Sequence, residues 1–323
     1  MLRVLALSFS LFASLAQATP LTVLQRPLEL DTGAGTLYGT LLLPKTPQAV
    51  PVALLIAGSG PTDRNGNNPG GGNNDSLKLL AQVLARHGIA SVRYDKRGVA
   101  ASQPATPDER NLSVERYVSD AVAWGRLIKT DPRFSELVLI GHSEGALIAS
   151  LAASGAGADA LVSIAGSARP IDQVLREQLG NRLPPRLLAR SMDIIASLKA
   201  GQPDDEVPDE LQVIFRPSVQ PYLISLFGYD PAAAFAQLRI PALIIQGSHD
   251  IQVGIKDAEA LQASKPDAEL LLIPGMNHVL RIVSDDPQRQ MASYNDPKLP
   301  LALQLANGII DFIRRNSTST ASS

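Results

Sequence analysis

A short stretch around Ser143 constrains the fold of this chain more than any other, because an apolar strand, a glycine-flanked serine and a helix follow one another directly. Leu137–Ile140 is continuously apolar, Gly141–Gly145 reads Gly-His-Ser-Glu-Gly, and the next residues are rich in alanine and leucine. A serine at the tip of such a turn has a strained backbone, and the positions two residues before and after it leave no room for a Cβ atom. The pattern predicts a strand-to-helix turn that exposes Ser143 as a nucleophile.

The same five residues also fit an ordinary strand, turn and helix without any catalytic role. A helix that starts behind the serine would direct free backbone N–H groups at developing negative charge. The choice between the two interpretations therefore depends on whether the rest of the chain supplies a base, a carboxylate and a second hydrogen-bond donor.

Composition excludes several classes of function for the 323-residue chain. The chain has no cysteine, which removes disulfides, thiolate metal sites and a cysteine nucleophile. Its formal net charge of −2 gives no electrostatic case for binding nucleic acid, and no basic amphipathic segment suggests a helix on a membrane surface. We expect a globular protein that acts on a small molecule and needs no cofactor or metal. The sequence does not indicate its oligomeric state.

The N-terminus has the three-part pattern of a signal peptide. Arg3 gives a positive start, Val4–Leu15 is apolar, and Ala16–Ala18 has the small-x-small form of a cleavage site. The apolar segment is shorter than the roughly 20 residues that span a bilayer. We predict that residues 1–18 are removed after Ala18 and that the product is periplasmic or secreted, without a stable membrane anchor. The alternative is a buried N-terminal helix.

Strands and helices alternate along most of the remaining chain, which is typical of a mostly parallel sheet with helices on both faces. The predicted strands of this sheet are Val52–Ala57, Ile89–Tyr94, the strand before Ser143, Ala160–Ala165, Ala242–Gln246 and Glu269–Pro274. Pro27–Leu30 and Thr36–Leu43 predict an antiparallel hairpin at the sheet edge.

The alternation stops between residues 166 and 229, where several helices and an acidic segment replace it. We interpret this part as a helical cap inserted into a core formed by residues 19–165 and 230–315. The acidic segment, residues 203–210, is expected to be a solvated loop. Residues 316–323 are polar and predict a disordered tail.

The Gly/Asn-rich stretch of residues 58–75 has three possible interpretations. A phosphate-binding loop would end in Gly-Lys-Ser/Thr, which is missing here. Asp63, Asn65 and Asn67 fit the start of a calcium loop, but the central glycine and the closing glutamate are absent. The third interpretation is a loop whose backbone N–H groups bind a substrate oxyanion.

Functional groups in parallel sheets lie in loops beyond the carboxyl ends of the strands, and this position selects one of the four histidines. His87 lies at a helix C-terminus, and His142 is inside the turn and is expected to support packing. His249 is next to Asp250 and leaves no later acid at a matching strand end. His278 follows the last strand and is the predicted base.

Asp250 ends the preceding strand and is the predicted carboxylate partner of His278. The competing acids Asp257 and Glu259 lie within a predicted helix and are expected to be solvated. Nucleophile, acid and base then follow one another in the chain order of an α/β-hydrolase.

From about Leu37 to Arg315 the chain resembles the α/β-hydrolase superfamily, and within it the bacterial esterases grouped with the serine aminopeptidase-like hydrolases. The matching segments are Leu55–Pro61, Tyr94–Gly98 with Ser102, Gly141–Gly145, Gly247–Asp250 and Pro274–His278. The resemblance implies the α/β-hydrolase fold, with Ser143 as nucleophile and with Asp250 and His278 as its relay.

The resemblance also implies that the backbone amides of Ser59 and Glu144 form the oxyanion hole. Many relatives have His-Gly where this chain has Ala57-Gly58. The oxyanion donor in this segment is a backbone amide, so the Ser59 amide can still fill that role although Ala57 replaces the histidine. The alternative for Glu144 is that its side chain, rather than its amide, takes part in catalysis.

These features predict a carboxylic-ester hydrolase that acts on small or medium acyl esters through an acyl-enzyme. A cofactor-free perhydrolase would carry the same residues. A peptidase would need cap acids to hold a substrate ammonium, for which residues 204–210 and Glu177 are the candidates. A non-enzymatic binding module on the same fold would have a degraded set of catalytic residues, whereas this set is complete.

Overall fold

The fold is described from a computed structural model, which covers residues 21–180 and 182–319. The predicted signal peptide, residues 1–18, lies outside the described residues.

In the described part of the chain, eight strands form one sheet with the order β1-β2-β4-β3-β5-β6-β7-β8. They are β1 (Val23–Asp31), β2 (Thr36–Pro44), β3 (Val50–Ile56), β4 (Ala90–Tyr94), β5 (Phe134–His142), β6 (Ala160–Ile164), β7 (Ala242–Gly247) and β8 (Glu269–Ile273). β2 pairs antiparallel with both β1 and β4, and every other pair is parallel. The predicted edge hairpin and the mostly parallel sheet are both confirmed.

Helices cover both faces of this sheet. The α-helices of the described residues are α1 (Ser76–Arg86), α2 (Val114–Lys129), α3 (Glu144–Ala156), α4 (Ile171–Gly180), α5 (Pro185–Lys199), α6 (Gln212–Phe215), α7 (Gln220–Phe227), α8 (Pro231–Ala236), α9 (Ile255–Ser264), α10 (Pro287–Ser293) and α11 (Leu303–Ser319). Helices α1 and α11 pack on one face, and α2, α3, α8 and α9 pack on the other. The predicted α/β-hydrolase fold class is therefore confirmed.

The central strands are mostly apolar because each of them is buried on both faces. In β3, Leu54 and Ile56 join the apolar cluster that includes Trp124 of α2, whereas Ala53 and Leu55 join the cluster with α1 and α11. Successive side chains of a strand point to opposite faces, so a strand covered on both sides needs no polar positions.

Helices α4 to α7 lie between β6 and β7, where the sequence predicts an inserted cap, and are called the cap below. They share an apolar cluster of their own, to which Ile195, Phe215 and Phe227 each contribute a fully buried side chain. The cap is therefore held together by its own small core and lies over one end of the sheet, next to the start of α3.

The C-terminal helix is longer than the sequence predicts. Helix α11 continues to Ser319, four residues into the segment predicted to be a disordered tail. The side chains of Asn316 and Ser317 donate hydrogen bonds to the carbonyls of Phe312 and Ile313, one turn earlier, so polar residues continue the helix here. Residues 320–323 lie outside the described part.

A buried ion pair joins the turn after β4 to helix α2. The Arg97 guanidinium makes two bonds to Asp120, of 2.6 and 3.0 Å, and both side chains are almost fully buried. Burial raises the pKa of Asp120 by more than the Arg97 guanidinium lowers it. Because the pair is buried, its main energetic effect is the unpaired charge that loss of either partner would leave.

We predict that Asp120→Ala lowers the free energy of unfolding by about 3–5 kcal/mol, because it leaves the buried Arg97 charge without a carboxylate, with only the neutral oxygens of Thr32 and Ala105 to accept from it. Urea unfolding of the purified protein measures the change. The matched control is Glu177→Ala, which removes an exposed acid from its pair with Arg169 and should cost about 0–1 kcal/mol. Equal effects of the two substitutions would contradict the prediction.

Candidate active site

The backbone at Ser143 is strained in the manner that the Gly-x-Ser-x-Gly pattern predicts. Ser143 lies between β5 and α3 with φ 55° and ψ −124°, a conformation that side-chain-bearing residues rarely adopt. Its N–H donates a hydrogen bond of 2.8 Å to the carbonyl of Ile164, which ties the turn to β6. The strain and this tether place the serine side chain at the end of the sheet, where it lines a pocket.

The two glycines of the motif allow β5 and α3 to approach closely. A Cβ atom on Gly141 would lie 2.2 Å from the carbonyl oxygen of Gly145, and a Cβ atom on Gly145 would lie 2.3 Å from that of Ile56. Both distances are far shorter than van der Waals contact. Glycine is therefore required at both positions for steric reasons.

The end of β3 brings Ser59 to the same place. A Cβ atom on Gly58 would lie 3.2 Å from the Cβ atom of Ser143, so the segment after β3 packs directly on the turn. Ser59, Ser143 and Glu144 line one pocket. Within the described residues, the Ser59 amide donates to no other group, and Glu144 begins a helix, where N–H groups lack intrahelical partners.

The Gly/Asn-rich loop that follows Ser59 is held by its own side chains. One oxygen of Asp63 accepts hydrogen bonds from the amides of Asn65 and Asn67, at 2.8 and 2.9 Å. Arg64 bonds Asp95, at the end of β4, through both its amide and its guanidinium. Across residues 21–180 and 182–319, no cluster of three or more His, Cys, Asp or Glu side chains is arranged to hold a metal ion.

The structure brings the predicted base and acid together. His278 Nδ1 lies 2.8 Å from Asp250 Oδ2, and both side chains are nearly inaccessible to solvent. The amides of Gln252 and Val253 donate to the other carboxylate oxygen, and Gln246 Nε2 lies 3.2 Å from Oδ2. Burial alone would raise the pKa of Asp250, but His278 and the two amides lower it below its ordinary value.

The loops that carry these two residues meet through a close backbone contact. A Cβ atom on Gly247, at the end of β7, would lie 2.0 Å from the carbonyl oxygen of Met276. That carbonyl also accepts a hydrogen bond from the amide of His249. The contact fixes the loop after β8 against the loop after β7 and thereby sets the distance between Asp250 and His278.

Asn277 and Arg281, to which the sequence assigns no role, support the turn at His278. Asn277 Oδ1 accepts from the Arg281 amide at 3.0 Å, and Asn277 Nδ2 donates to Ser293 in α10. The fully buried Arg281 donates to the carbonyl of Asn74 at 2.6 Å. Ser293 lies 16 residues from Asn277, and Asn74 lies 207 residues from Arg281, so no local signal predicts these two contacts.

His142 supports His278 by packing and by a hydrogen bond, in agreement with its predicted packing role. The two rings lie 4.9 Å apart between centroids, and His142 Nε2 lies 2.8 Å from the backbone carbonyl of His278. Burial, and to a smaller extent the nearby His278, lower the pKa of His142 to about 4. His142 is therefore neutral at physiological pH and donates through Nε2.

The relation of Ser143 to His278 is less direct. His278 lies beside the turn through its contact with His142, but no hydrogen bond joins the Ser143 hydroxyl to His278 among the residues that the structure describes. In unliganded enzymes, catalytic hydrogen bonds are often long and shorten only when substrate binds.

The other polar candidates occupy different positions. His87 is exposed and bonds the carbonyl of Val83, while His249 is held between Val283 and Asp285. The expectation that Asp257 is solvated was wrong. Asp257 is buried and accepts hydrogen bonds from Arg169 and Ser167, which come from the segment after β6.

A pocket of about 360 Å³ lies between the turn and the cap. Apolar side chains form most of its wall, among them Leu147, Ile171, Val174, Ile214, Leu223 and Leu226. Ser59, Ser143 and Glu144 form its floor. Residues 204–210 and Glu177 do not line it. Arg169 and Arg216 do line it, and each is paired, with Asp257 and Glu109 respectively.

The neutral state of buried His142 predicts a loss of stability in acid. The unfolded histidine binds a proton below its ordinary pKa of 6.5, but the folded one does so only near 4. Between these values the unfolded state holds more protons, so the free energy of unfolding falls as the pH drops from about 6.5 to 4, by about 3 kcal/mol in total.

Urea unfolding at several pH values measures this slope. His142→Gln, which retains a donor, should flatten it between pH 6.5 and 4, and the exposed-site control His87→Gln should leave it unchanged. An identical slope in His142→Gln and the wild type would contradict the assignment of a neutral, buried His142.

Comparisons with known proteins agree with this architecture. Residues 72–286 match the family model described as serine aminopeptidase, S33. Esterase EstD from Thermotoga maritima is 30% identical over 256 residues, which are 78% of this chain and 60% of that protein. The matched region thus spans less than two thirds of the length of this relative.

Solved structures with low sequence identity share the fold. Est1E from Butyrivibrio proteoclasticus, solved with ferulic acid bound, has a TM-score of 0.61 and 17% identity over 90% of this chain and 98% of its own. The α/β hydrolase GrgF from Penicillium sp. sh18 has a TM-score of 0.58 and 20% identity over 91% and 99% of the two chains. Because the family model covers most of the chain, the protein belongs to the serine aminopeptidase S33 family of α/β hydrolases.

Proposed function

We propose that this protein is a carboxylic-ester hydrolase that forms an acyl-enzyme on Ser143, with His278 as base and Asp250 as the partner of the base. The observation that carries the proposal is the buried hydrogen bond between His278 and Asp250 beside a strained serine at the start of a helix. The similarity to an esterase of Thermotoga maritima supports the same assignment.

The hydrogen bond to Asp250 determines which ring nitrogen of His278 acts as the base. Because Nδ1 bonds the carboxylate, it carries the proton, and Nε2 is left to accept the proton of the Ser143 hydroxyl. The lowered pKa of Asp250 keeps that carboxylate ionised. It therefore stabilises the imidazolium that forms when Ser143 attacks the substrate carbonyl.

The backbone amides of Ser59 and Glu144 stabilise the oxyanion of the tetrahedral intermediate. Both residues line the pocket beside Ser143, and α3 directs its N-terminal end at the same point. His278 then donates its proton to the leaving alcohol, which leaves the acyl group on Ser143 Oγ. Water, activated by the same histidine, attacks the acyl-enzyme and releases the acid.

The pocket favours uncharged acyl groups of small or medium size. Its wall is mostly apolar, and its volume of about 360 Å³ lies at the lower end of ordinary ligand sites. The two arginines that line it are neutralised by Asp257 and Glu109, so neither offers a free charge to an anionic substrate.

A peptidase is a weaker candidate, because the acids expected to hold a substrate ammonium lie elsewhere. Glu177 pairs with Arg169 and Asp204 pairs with Arg190, and neither of them lines the pocket. Glu144 is the one carboxylate in the pocket lining, among the described residues. Faster cleavage of aminoacyl-naphthylamides than of esters would reverse this preference.

We further propose that the protein is exported after cleavage behind Ala18. The basis is the ordered sequence pattern of residues 1–18. Among the described residues, no helix is long and apolar enough to cross a membrane. Mass spectrometry of the protein from its native host should find a chain that begins at Thr19, and an intact Met1 end on the exported protein would contradict the proposal.

We predict that the wild type hydrolyses p-nitrophenyl esters from acetate to octanoate and that Ser143→Ala lowers kcat by about 10⁴-fold or more, since the nucleophile is lost. The matched control is Ser150→Ala, on the same helix, whose hydroxyl bonds the carbonyl of Ala146 outside the pocket. Ser150→Ala should retain wild-type turnover. Undetectable hydrolysis by the wild type, or equal rates for wild type and Ser143→Ala, would overturn the proposed function.

A further inference from the structure

The turn after β4 carries three successive charged residues, two of which have structural partners. Asp95 binds Arg64 of the Gly/Asn-rich loop, and Arg97 binds Asp120 of α2. Lys96 lies between them and has no carboxylate within ion-pair distance in the described part of the chain, although it is 2% exposed. Burying an ammonium group is costly unless its donors are satisfied, so the contacts of Lys96 need a physical explanation.

The Lys96 ammonium is directed at the floor of the pocket. Its Nζ atom donates a hydrogen bond to the carbonyl oxygen of Gly58 and lies 5.3 Å from the centre of the Tyr117 ring. Burial lowers the pKa of Lys96, and the carboxylate of Glu144 acts in the opposite direction. Lys96 therefore bonds Gly58, which precedes the proposed oxyanion donor Ser59. It also interacts electrostatically with Glu144, the second proposed donor residue.

The carbonyl of Gly58 and the amide of Ser59 belong to the same peptide group. Resonance couples the two ends of a peptide, so a cation on the oxygen draws electron density from the nitrogen and makes its N–H a stronger donor. The effect is largest where water is excluded, as it is around Lys96. The hydrogen bond also fixes the orientation of the peptide plane, and with it the direction of the Ser59 N–H.

We propose that Lys96 is a positioning residue of the oxyanion hole, which orients and polarises the Gly58–Ser59 peptide so that the Ser59 amide binds the transition-state oxyanion more strongly. The inference rests on the proposed function, because it assigns Ser59 a donor role in ester hydrolysis. It predicts an effect on the transition state that is absent from the ground-state complex, in which the substrate oxygen carries little charge.

Two substitutions separate the charge from the hydrogen bond. Lys96→Met removes both and keeps an unbranched side chain, whereas Lys96→Gln keeps a donor without the charge. We expect kcat for p-nitrophenyl butyrate to fall about 10- to 100-fold in both variants. Loss of a whole oxyanion donor has a larger effect, about 10²–10³-fold. KM should stay within about twofold of wild type, because ground-state binding does not use the strengthened amide.

A reversible trifluoromethyl ketone inhibitor adds a readout that a merely structural lysine would not affect. Its adduct with a serine carries an oxyanion, so its inhibition constant should rise by the same factor as kcat falls. Arg93→Met is the matched control. Like Lys96, Arg93 is a buried cation, but it lies within β4, and its charged neighbours are Arg64, Asp63, Asp75 and Asp95. Arg93→Met should change neither constant.

Thermal unfolding shows whether each variant is folded. If Lys96→Met does not fold, kcat and the inhibition constant of Lys96→Gln test the inference. Wild-type values of kcat and of the inhibition constant in a folded Lys96 variant would overturn the inference while leaving the proposed function intact. Wild-type values in Lys96→Gln alone would overturn the role of the charge. Absence of turnover in the wild type would overturn the proposed function itself and the inference with it.

Discussion

The site depends on backbone segments that approach one another more closely than side chains permit. Gly145 lies against the carbonyl of Ile56, and Gly58 lies against Ser143, so the end of β3, the strained turn and the start of α3 meet at one point. A third close contact, between Gly247 and Met276, joins the loops that carry Asp250 and His278. The parallel sheet makes all three possible, because the carboxyl ends of its strands lie along one edge.

The ionisable side chains around this edge lie in distinct environments that determine their charge. Asp250 accepts hydrogen bonds on both oxygens and is kept ionised, whereas burial keeps the adjacent His142 neutral. Lys96 places a positive charge behind the proposed oxyanion donor Ser59 without entering the pocket. The pocket therefore combines an apolar wall with a polar floor, an arrangement that suits an uncharged ester.

The sequence predicted the fold class because the alternation of strands and helices is regular, and it placed Asp250 and His278 because both follow strands at that edge. It failed where a side chain depends on a distant partner. Asp257 was expected to be solvated on its helix, yet it binds Arg169, which lies 88 residues away. Nothing local marks Arg281 as a support of the histidine turn or Lys96 as a contact of Gly58, for the same reason.

The central claim is that Ser143 is the activated nucleophile, and covalent labelling tests it most directly. The folded wild type is treated with a fluorophosphonate, and the adduct is located by peptide mass mapping. We expect one probe per chain, attached to Ser143, and much slower labelling in His278→Ala, which lacks the base. No labelling of the folded wild type, or an adduct on another residue, would contradict the account.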